Sequence, residues 1–319
     1  MTQTMSKTAT TFVAENVSKQ YANKLALDNL SIKIPSNCIF GLLGPNGAGK
    51  TSLIRIINQI TAPDSGKIFI KGEPLSPKHI GLIGYLPEER GLYKKMGVGE
   101  QAMYLAQLKG MSKKEAKEQL DIWFEKFEIS SWWNKKVEEL SKGMAQKVQF
   151  ITTVLHNPKI IILDEPFSGF DPINTNLIKS EILRLKSQGA TILLSTHNMN
   201  SVDEICDRIA LLNNGKKILE GKVNEIKTQY SNNTYEITFK GNMLGFANAL
   251  WGGFEIIEKE VLESDINKVT VKLAENITPN HLLKDLLDVC EIKGIKEVVP
   301  SMNDIFITSV NQSNANYNG

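Results

Sequence analysis

Residues Gly44–Thr51 read GPNGAGKT, the G-x-x-x-x-G-K-[ST] spacing, with an apolar strand-like run (IFGLL) before them and a helix-like run (SLIRIINQ) after them. The glycines allow successive backbone N–H groups to turn inward as an anion nest. That nest opens a helix, whose N-terminal dipole also favours phosphate. In such an arrangement Gly44, Pro45, Asn46, Gly47, Ala48 and Gly49 form the cradle and Ser52 follows it into the helix. Lys50 is placed to reach β- and γ-phosphates, and Thr51 to offer its hydroxyl to Mg²⁺.

A second stretch supplies the complement. Ile160–Pro166, IIILDEP, is a strand-like run that delivers Asp164 and Glu165 at its end. The first carboxylate can hold a metal, and the second can orient or deprotonate an attacking water. A strand ending in acids is common by itself; downstream of a phosphate cradle it reads as a partner. A third stretch, IGYLPEERGLY (Ile83–Tyr93), is ambiguous alone. Ile80, Leu82, Ile83, Tyr85 and Leu86 look like a buried edge, and Pro87 ends the strand because it has no N–H for the ladder. Glu88, Glu89 and Arg90 then fall on a loop, where chemistry is often placed.

These residues need elements to hold them. The 319 residues exceed one average domain, and a formal net charge of +2 gives no electrostatic case for nucleic acid as main partner. Cys38, Cys206 and Cys290 are far apart and lack metal spacing, so they read as core thiols of a reducing compartment. The start has no apolar signal region, and no run approaches a membrane span. From Thr11 to about Gly72 the pattern is strand-rich; from Gly97 to Leu140 it is helical. There Ser112 and Glu115 form a capping-box pattern ahead of Ala116, Leu120, Trp123, Phe124 and Phe127, and Trp132 and Trp133 read as packing. From Ile160 to Glu220 strands and helices alternate, with Asp171-Pro172 opening a helix, Gly189 closing it, and Asn214-Gly215 forming a tight hairpin. That alternation predicts an α/β fold with a mainly parallel sheet.

After Tyr230 the order strand, helix, strand, strand, helix, strand predicts a small ferredoxin-like α+β domain, its last strand over 298–310. The expected organisation is an ATP-binding domain over 11–230, an accessory domain over 231–310 and a disordered Asn-rich tail over 311–319.

Between the cradle and the paired acids lies LSKGMAQK (Leu140–Lys147); SGFD follows the acids, and STH follows the next strand. In this order the motifs resemble the ATP-binding subunit of an ABC transporter over roughly residues 10–225. The resemblance implies a P-loop NTPase core with β-rich and helical subdomains. It implies Tyr21 as the aromatic that stacks on adenine, Glu165 as general base and His197 as the residue that senses the γ-phosphate. Asp164, with Thr51, becomes a metal-associated group and Asp171 the acid of the D-loop. Ser141, Lys142 and Gly143 lie in the signature that contacts nucleotide bound by an opposite subunit, although Lys142 and Met144 depart from the usual Leu-Ser-Gly-Gly-Gln. Glu88 aligns with the glutamine that touches the metal and couples to the membrane partner.

The departures and the added domain resemble exporter-type subunits encoded apart from their membrane partners. The expected function is ATP hydrolysis energising an exporter, with ATP and Mg²⁺ as cofactors. The expected partners are a homodimeric or paired ATPase subunit and a separate permease on the cytoplasmic face of the inner (plasma) membrane; no nucleic acid is expected. The other reading is a soluble ABC-type ATPase of translation or DNA repair, which one cassette without long coiled coils does not suit.

Overall fold

A computed structural model describes residues 10–317 apart from Arg90, Trp251 and Ser264. Arg90, read above as part of the loop after Pro87, therefore lies outside the described residues. The chain divides into two units. One ends at Val223 and resumes at Phe306; the other spans Asn224–Ile305.

In the first unit, a six-stranded sheet runs in the order β10 (Lys216–Lys222), β9 (Arg208–Asn213), β3 (Ile39–Leu43), β8 (Thr191–Ser195), β7 (Ile160–Asp164), β6 (Ile83–Leu86). All neighbours are parallel except β9 and β10. Every residue of β3, β7 and β8 is buried, as central parallel strands covered on both faces require. Beside it stands an antiparallel sheet, β2 (Lys24–Pro35), β1 (Thr10–Tyr21), β4 (Ser65–Ile70) and β5 (Glu73–Pro74). Phe12, Leu30 and Ile32 of this sheet share one core with Phe40, Leu42, Ile162 and Leu193, and with Leu53 and Ile54 of α1 (Lys50–Ile57).

The helical part holds α2 (Val98–Leu108), α3 (Lys113–Lys126) and α4 (Lys142–Val154). Ser112 caps α3 by accepting from Glu115 N, and Ala116, Leu120, Trp123 and Phe124 form its buried face. Trp133 packs on Phe124 with ring centroids 5.5 Å apart. Asp171 accepts from Asn174 N at 2.8 Å to start α5 (Pro172–Ser187). Helix α6 (Met199–Ile205) leads into β9, and the turn to β10 has positive φ at Asn214 (47°) and Gly215 (78°), the pair of left-handed residues a two-residue hairpin wants.

Strand β6 starts later than the apolar run suggests. Residues 77–82 form a 3₁₀ turn in which Ile80 is exposed. What fixes β6 is close approach: a Cβ on Gly84 would sit 2.4 Å from the Thr153 carbonyl of α4.

After α7 (Val223–Gln229), the second unit pairs its strands antiparallel in the order β12 (Phe254–Glu263), β13 (Ile266–Leu273), β11 (Thr234–Lys240), β14 (Glu291–Glu297). Helices α8 (Met243–Ala249) and α9 (Pro279–Leu286) supply Phe246, Leu282 and Leu286 to a core with Ile237, Phe239, Val269 and Val271. This is the ferredoxin-like order.

Two expectations fail at its end. The fourth strand lies at 291–297, and helix α10 (Met302–Tyr317) replaces the predicted strand over 298–310 and the expected tail up to residue 317. The β-branched run Ile305–Val310 suggests a strand. The start signal that decides otherwise is also visible: Ser301 Oγ accepts from Asp304 N, and Asp304 Oδ2 accepts from Ser301 N, each at 3.2 Å. The later part of α10 belongs with the first unit, where Asn213 Nδ2 donates to Ser313 Oγ and Asn314 Oδ1.

Gly84→Ala should destabilise the protein by about 1–3 kcal/mol through overpacking of β6 on α4. Gly81→Ala, whose Cβ meets nothing within 4 Å, should leave the denaturant midpoint unchanged.

Candidate functional site

The order β3, β8, β7, β6 sets the loops that follow these strands side by side at one carboxyl edge, where open α/β sheets bind ligands. Those loops carry Gly44–Gly49, His197, Asp164–Glu165 and Glu88. They enclose a cleft of about 510 Å³ whose walls include Tyr21, Asn46–Ser52, Glu88, Asp164, Glu165 and His197.

The cradle owes its path to glycine. A Cβ on Gly44 (φ 149°) would lie 2.4 Å from the Leu212 carbonyl oxygen, and one on Gly49 (φ 110°) 2.4 Å from that of Ala26. The hairpin between β9 and β10 braces it: Gly215 N donates to Ala48 O and Asp28 N to Gly215 O, each at 3.0 Å. Lys50 is buried, and its Nζ donates to Gly44 O at 2.6 Å and Pro45 O at 3.1 Å. An ammonium has three donors, so one is left for a phosphate oxygen. Burial lowers the Lys50 pKa, against the opposing pull of Glu165, Asp164 and Glu88.

Asp164 ends β7 in register with Ser195 of β8, and its side chain is 2% exposed. Burial pushes its carboxyl up to about 6; the Ser195 hydroxyl opposes the rise, and Glu88 and Glu165 add to it. The approach of Ser195 falls short of hydrogen-bond geometry, since Ser195 Oγ and Asp164 Oδ2 are both buried without a partner. Asp164 lines a cleft that also holds Thr51, and a carboxylate left with an unpaired oxygen there fits a hard cation. Among the described residues no three His, Cys, Asp or Glu side chains gather closely enough to hold a metal by themselves. A cation here would share its ligands with phosphate.

Glu165 sits in the left-handed region at φ 49°, a conformation that costs about 1–3 kcal/mol and gathers at functional positions. Its N–H donates to Ser195 O at 2.9 Å. Its Oε1 meets His197 Nδ1 at 2.8 Å, and Oε2 accepts from Thr196 Oγ1 at 3.4 Å. Thr196 Oγ1 in turn accepts from Asn198 N at 3.1 Å. A carboxylate side chain 12% exposed thus touches an imidazole 71% exposed.

Glu88 does reach the cleft, and Glu89 is held behind it by Gln149 Nε2 donating to its carbonyl at 3.3 Å. The signature residues do not line this cleft. Ser141 caps α4 by accepting from Met144 N. Lys142 lies along Gly169 with Nζ 3.4 Å from Ser168 Oγ, and Gly143 faces the Gly169 carbonyl. Asp171 is exposed and caps α5; the Asn174 backbone N–H holds its carboxyl below the usual range. Sequence reasoning missed Lys24, Arg55 and Thr196. The available signal for Lys24 was its place three residues after Tyr21, across a short turn.

A carboxyl with ordinary value 3.8 that ionises near 6 in the fold costs the fold about 3 kcal/mol once fully charged. The sign follows: with the folded value raised, the penalty is absent below about pH 4 and grows as pH rises toward 6 and above. Asp164→Asn should therefore raise the melting temperature at pH 7.5 in chelator without nucleotide, with the gain vanishing near pH 4.

Comparison with known proteins agrees with this geometry. Residues 27–168 match the family model described as ABC transporter, and residues 221–310 match that of the ATP-binding protein DrrA1-3-like, C-terminal domain. The chain is 42% identical over 296 residues to an uncharacterized ABC transporter ATP-binding protein, YhaQ of Bacillus subtilis, covering 93% of this chain and 97% of YhaQ. It is 35% identical to the lipopolysaccharide export system ATP-binding protein LptB of Haemophilus influenzae, over 67% of this chain and 91% of LptB. A solved ATP-binding subunit of an ABC transporter superposes with a TM-score of 0.65 at 29% identity, covering 69% of this chain and 93% of its own. The chain belongs to the ATP-binding subunits of ABC transporters, the ATPases that power transport.

Proposed function

We propose that this subunit hydrolyses ATP to drive export, working as a pair of cassettes closed around two nucleotides and joined to a separate membrane permease. The observation that carries the reading is the assembly of Lys50, Asp164, Glu165 and His197 in one cleft, with Ser141 and Gly143 of the same chain outside it. A chain whose signature cannot serve its own cleft is suited to serving another's. Among the described residues no helix is long and apolar enough to cross a membrane; in this reading a separate partner carries the transport path and this subunit sits on its cytoplasmic face. Export, rather than import, draws support from the name of the Haemophilus relative. The soluble reading in translation or repair is not favoured, since the relatives are named as transporter subunits.

In this reading Tyr21 stacks on adenine, and the backbone N–H groups of Gly44–Ser52 hold the phosphate chain. Thr51, Asp164 and Glu88 would hold Mg²⁺, which supplies neutralisation of charge on the β- and γ-phosphate oxygens. Glu165 takes the proton of the attacking water, and its strained backbone and Thr196 contact fix where that proton goes. His197, exposed beside Glu165, faces the γ-phosphate and senses it. Ser141, Lys142 and Gly143 complete the facing subunit's site, and Asp171 steadies the loop between the two.

Glu165→Gln keeps shape and removes the base. It should retain ATP binding, lower turnover by about 10²–10⁴-fold and accumulate as an ATP-bound dimer in light scattering; near-normal hydrolysis sinks the assignment. Glu88→Gln offers a metal one neutral oxygen in place of a charged one. Its half-maximal Mg²⁺ concentration, read both by ATPase rate and by Mg²⁺-dependent ATP binding, should rise clearly above wild type. Superimposable curves would leave Glu88 as a coupling residue alone.

A further inference from the structure

We infer that Lys24 is a second phosphate-binding cation of the cleft, delivered over the phosphate cradle by the same hairpin that presents Tyr21. The inference rests on the nucleotide reading of the cleft and adds a residue that no part of that reading contains.

Strands β1 and β2 pair Tyr21 with Lys24 across a two-residue turn, Ala22-Asn23. Ala22 holds φ at 44°, which an alanine adopts only where the surroundings demand it, and Gln20 Nε2 donates to its carbonyl at 3.0 Å. Behind the turn, Asp64 accepts from Lys19 Nζ and from Gln20 N, each at 2.6 Å. The hairpin is therefore anchored at its base, and its tip leans over the cleft, where both Tyr21 and Lys24 form part of the wall.

Lys24 Nζ lies 2.9 Å from where a Cβ of Gly47 would be. That puts an ammonium directly above the middle of the cradle, while Lys50 is held at its Gly44–Pro45 end. Neighbouring lysines are taken: Lys19 by Asp64 and Lys216 by Asp28. Lys24 has no ion pair or hydrogen bond among the described residues. Its place explains what it is for. A nucleotide with its base on Tyr21 and its terminal phosphates at Lys50 must run its phosphate chain across Gly47, beneath Lys24. Two cations above and below a polyphosphate neutralise more charge than either could alone, and a lysine, with its compact rotatable donors, suits a chain whose oxygens shift between tri- and diphosphate.

The role is binding and positioning, so it predicts a particular pattern. In full-length protein titrated calorimetrically, Lys24→Ala should weaken MgATP and MgADP by about tenfold each and AMP by much less. The KM for MgATP should rise by a similar factor, with a smaller change in kcat. Lys24→Arg should restore most of the affinity, and Lys24→Gln should not. Equal MgATP affinity in wild type and Lys24→Ala overturns the inference while leaving the cleft's nucleotide reading intact. Equal losses for AMP and MgATP also overturn it, because the change would then act through the Tyr21 side of the hairpin. If wild type itself fails to bind MgATP, both readings fall together.

Discussion

The constraint on which this cleft depends is that Asp164, Glu165 and Glu88 share one wall with the buried Lys50 and act on each other's charge. Parallel strands bring these groups to one edge: β7 and β6 are hydrogen-bonded neighbours, so the loops that follow them start side by side. Asp164 has no water to retreat to and one oxygen without a partner. Like charges held together in a place of low dielectric raise each other's cost of ionisation. Such a site is poor as pure structure. It becomes favourable when a divalent cation and a polyphosphate arrive, the cation to the acids and the phosphates to the cations and N–H groups of the cradle.

The segregation of charge within the cleft follows the same logic. Lys24 and Lys50 lie along the cradle, and the carboxylates lie at the strand ends facing it. Glu165 differs from Asp164 in having its contacts supplied by protein: Ser195, Thr196 and His197 all come from β8 or the residues just after it. A change at His197 therefore reaches Glu165 through a single contact, and a change at α6 reaches it through Asn198 and Thr196. On the far side, Gln146 of α4 donates to the Pro166 carbonyl at 3.5 Å and Lys142 lies on Gly169. The residue after Glu165 and helix α4 are thus in direct contact.

Much of this was legible in the sequence, for physical reasons that differ by residue. Lys50, Asp164 and Glu165 announce themselves because glycine spacing, apolar strands and their terminal acids are local patterns. Glu88 needed the neighbouring motifs to rise above a solvated turn, and the structure does place it in the cleft. Lys24 and Arg55 were missed because a lone cation is common on any strand end or helix, and Lys24's one local cue, its place just after Tyr21, is weak; only tertiary folding brings both to the cleft wall. The end of the chain misled for the opposite reason. Ile305, Ile307 and Val310 favour a strand by type, yet Ser301 and Asp304 cap a helix there, and a cap satisfies backbone donors that a strand propensity does not. The weak, lysine-rich EIKGIKE became the fourth strand because β11 needed an edge partner.

The cleft holds a buried acid whose charge a bound cation would offset. Burial pushes the Asp164 carboxyl up to about 6, so at pH 6 binding of pre-formed MgATP should release protons from it. Calorimetric titration at pH 6 in buffers of different ionisation enthalpy counts those protons directly. The account predicts buffer-dependent heats reporting proton release for wild type and their disappearance in Asp164→Asn. Heats independent of buffer in the wild type, or an equal release from the variant, would contradict it.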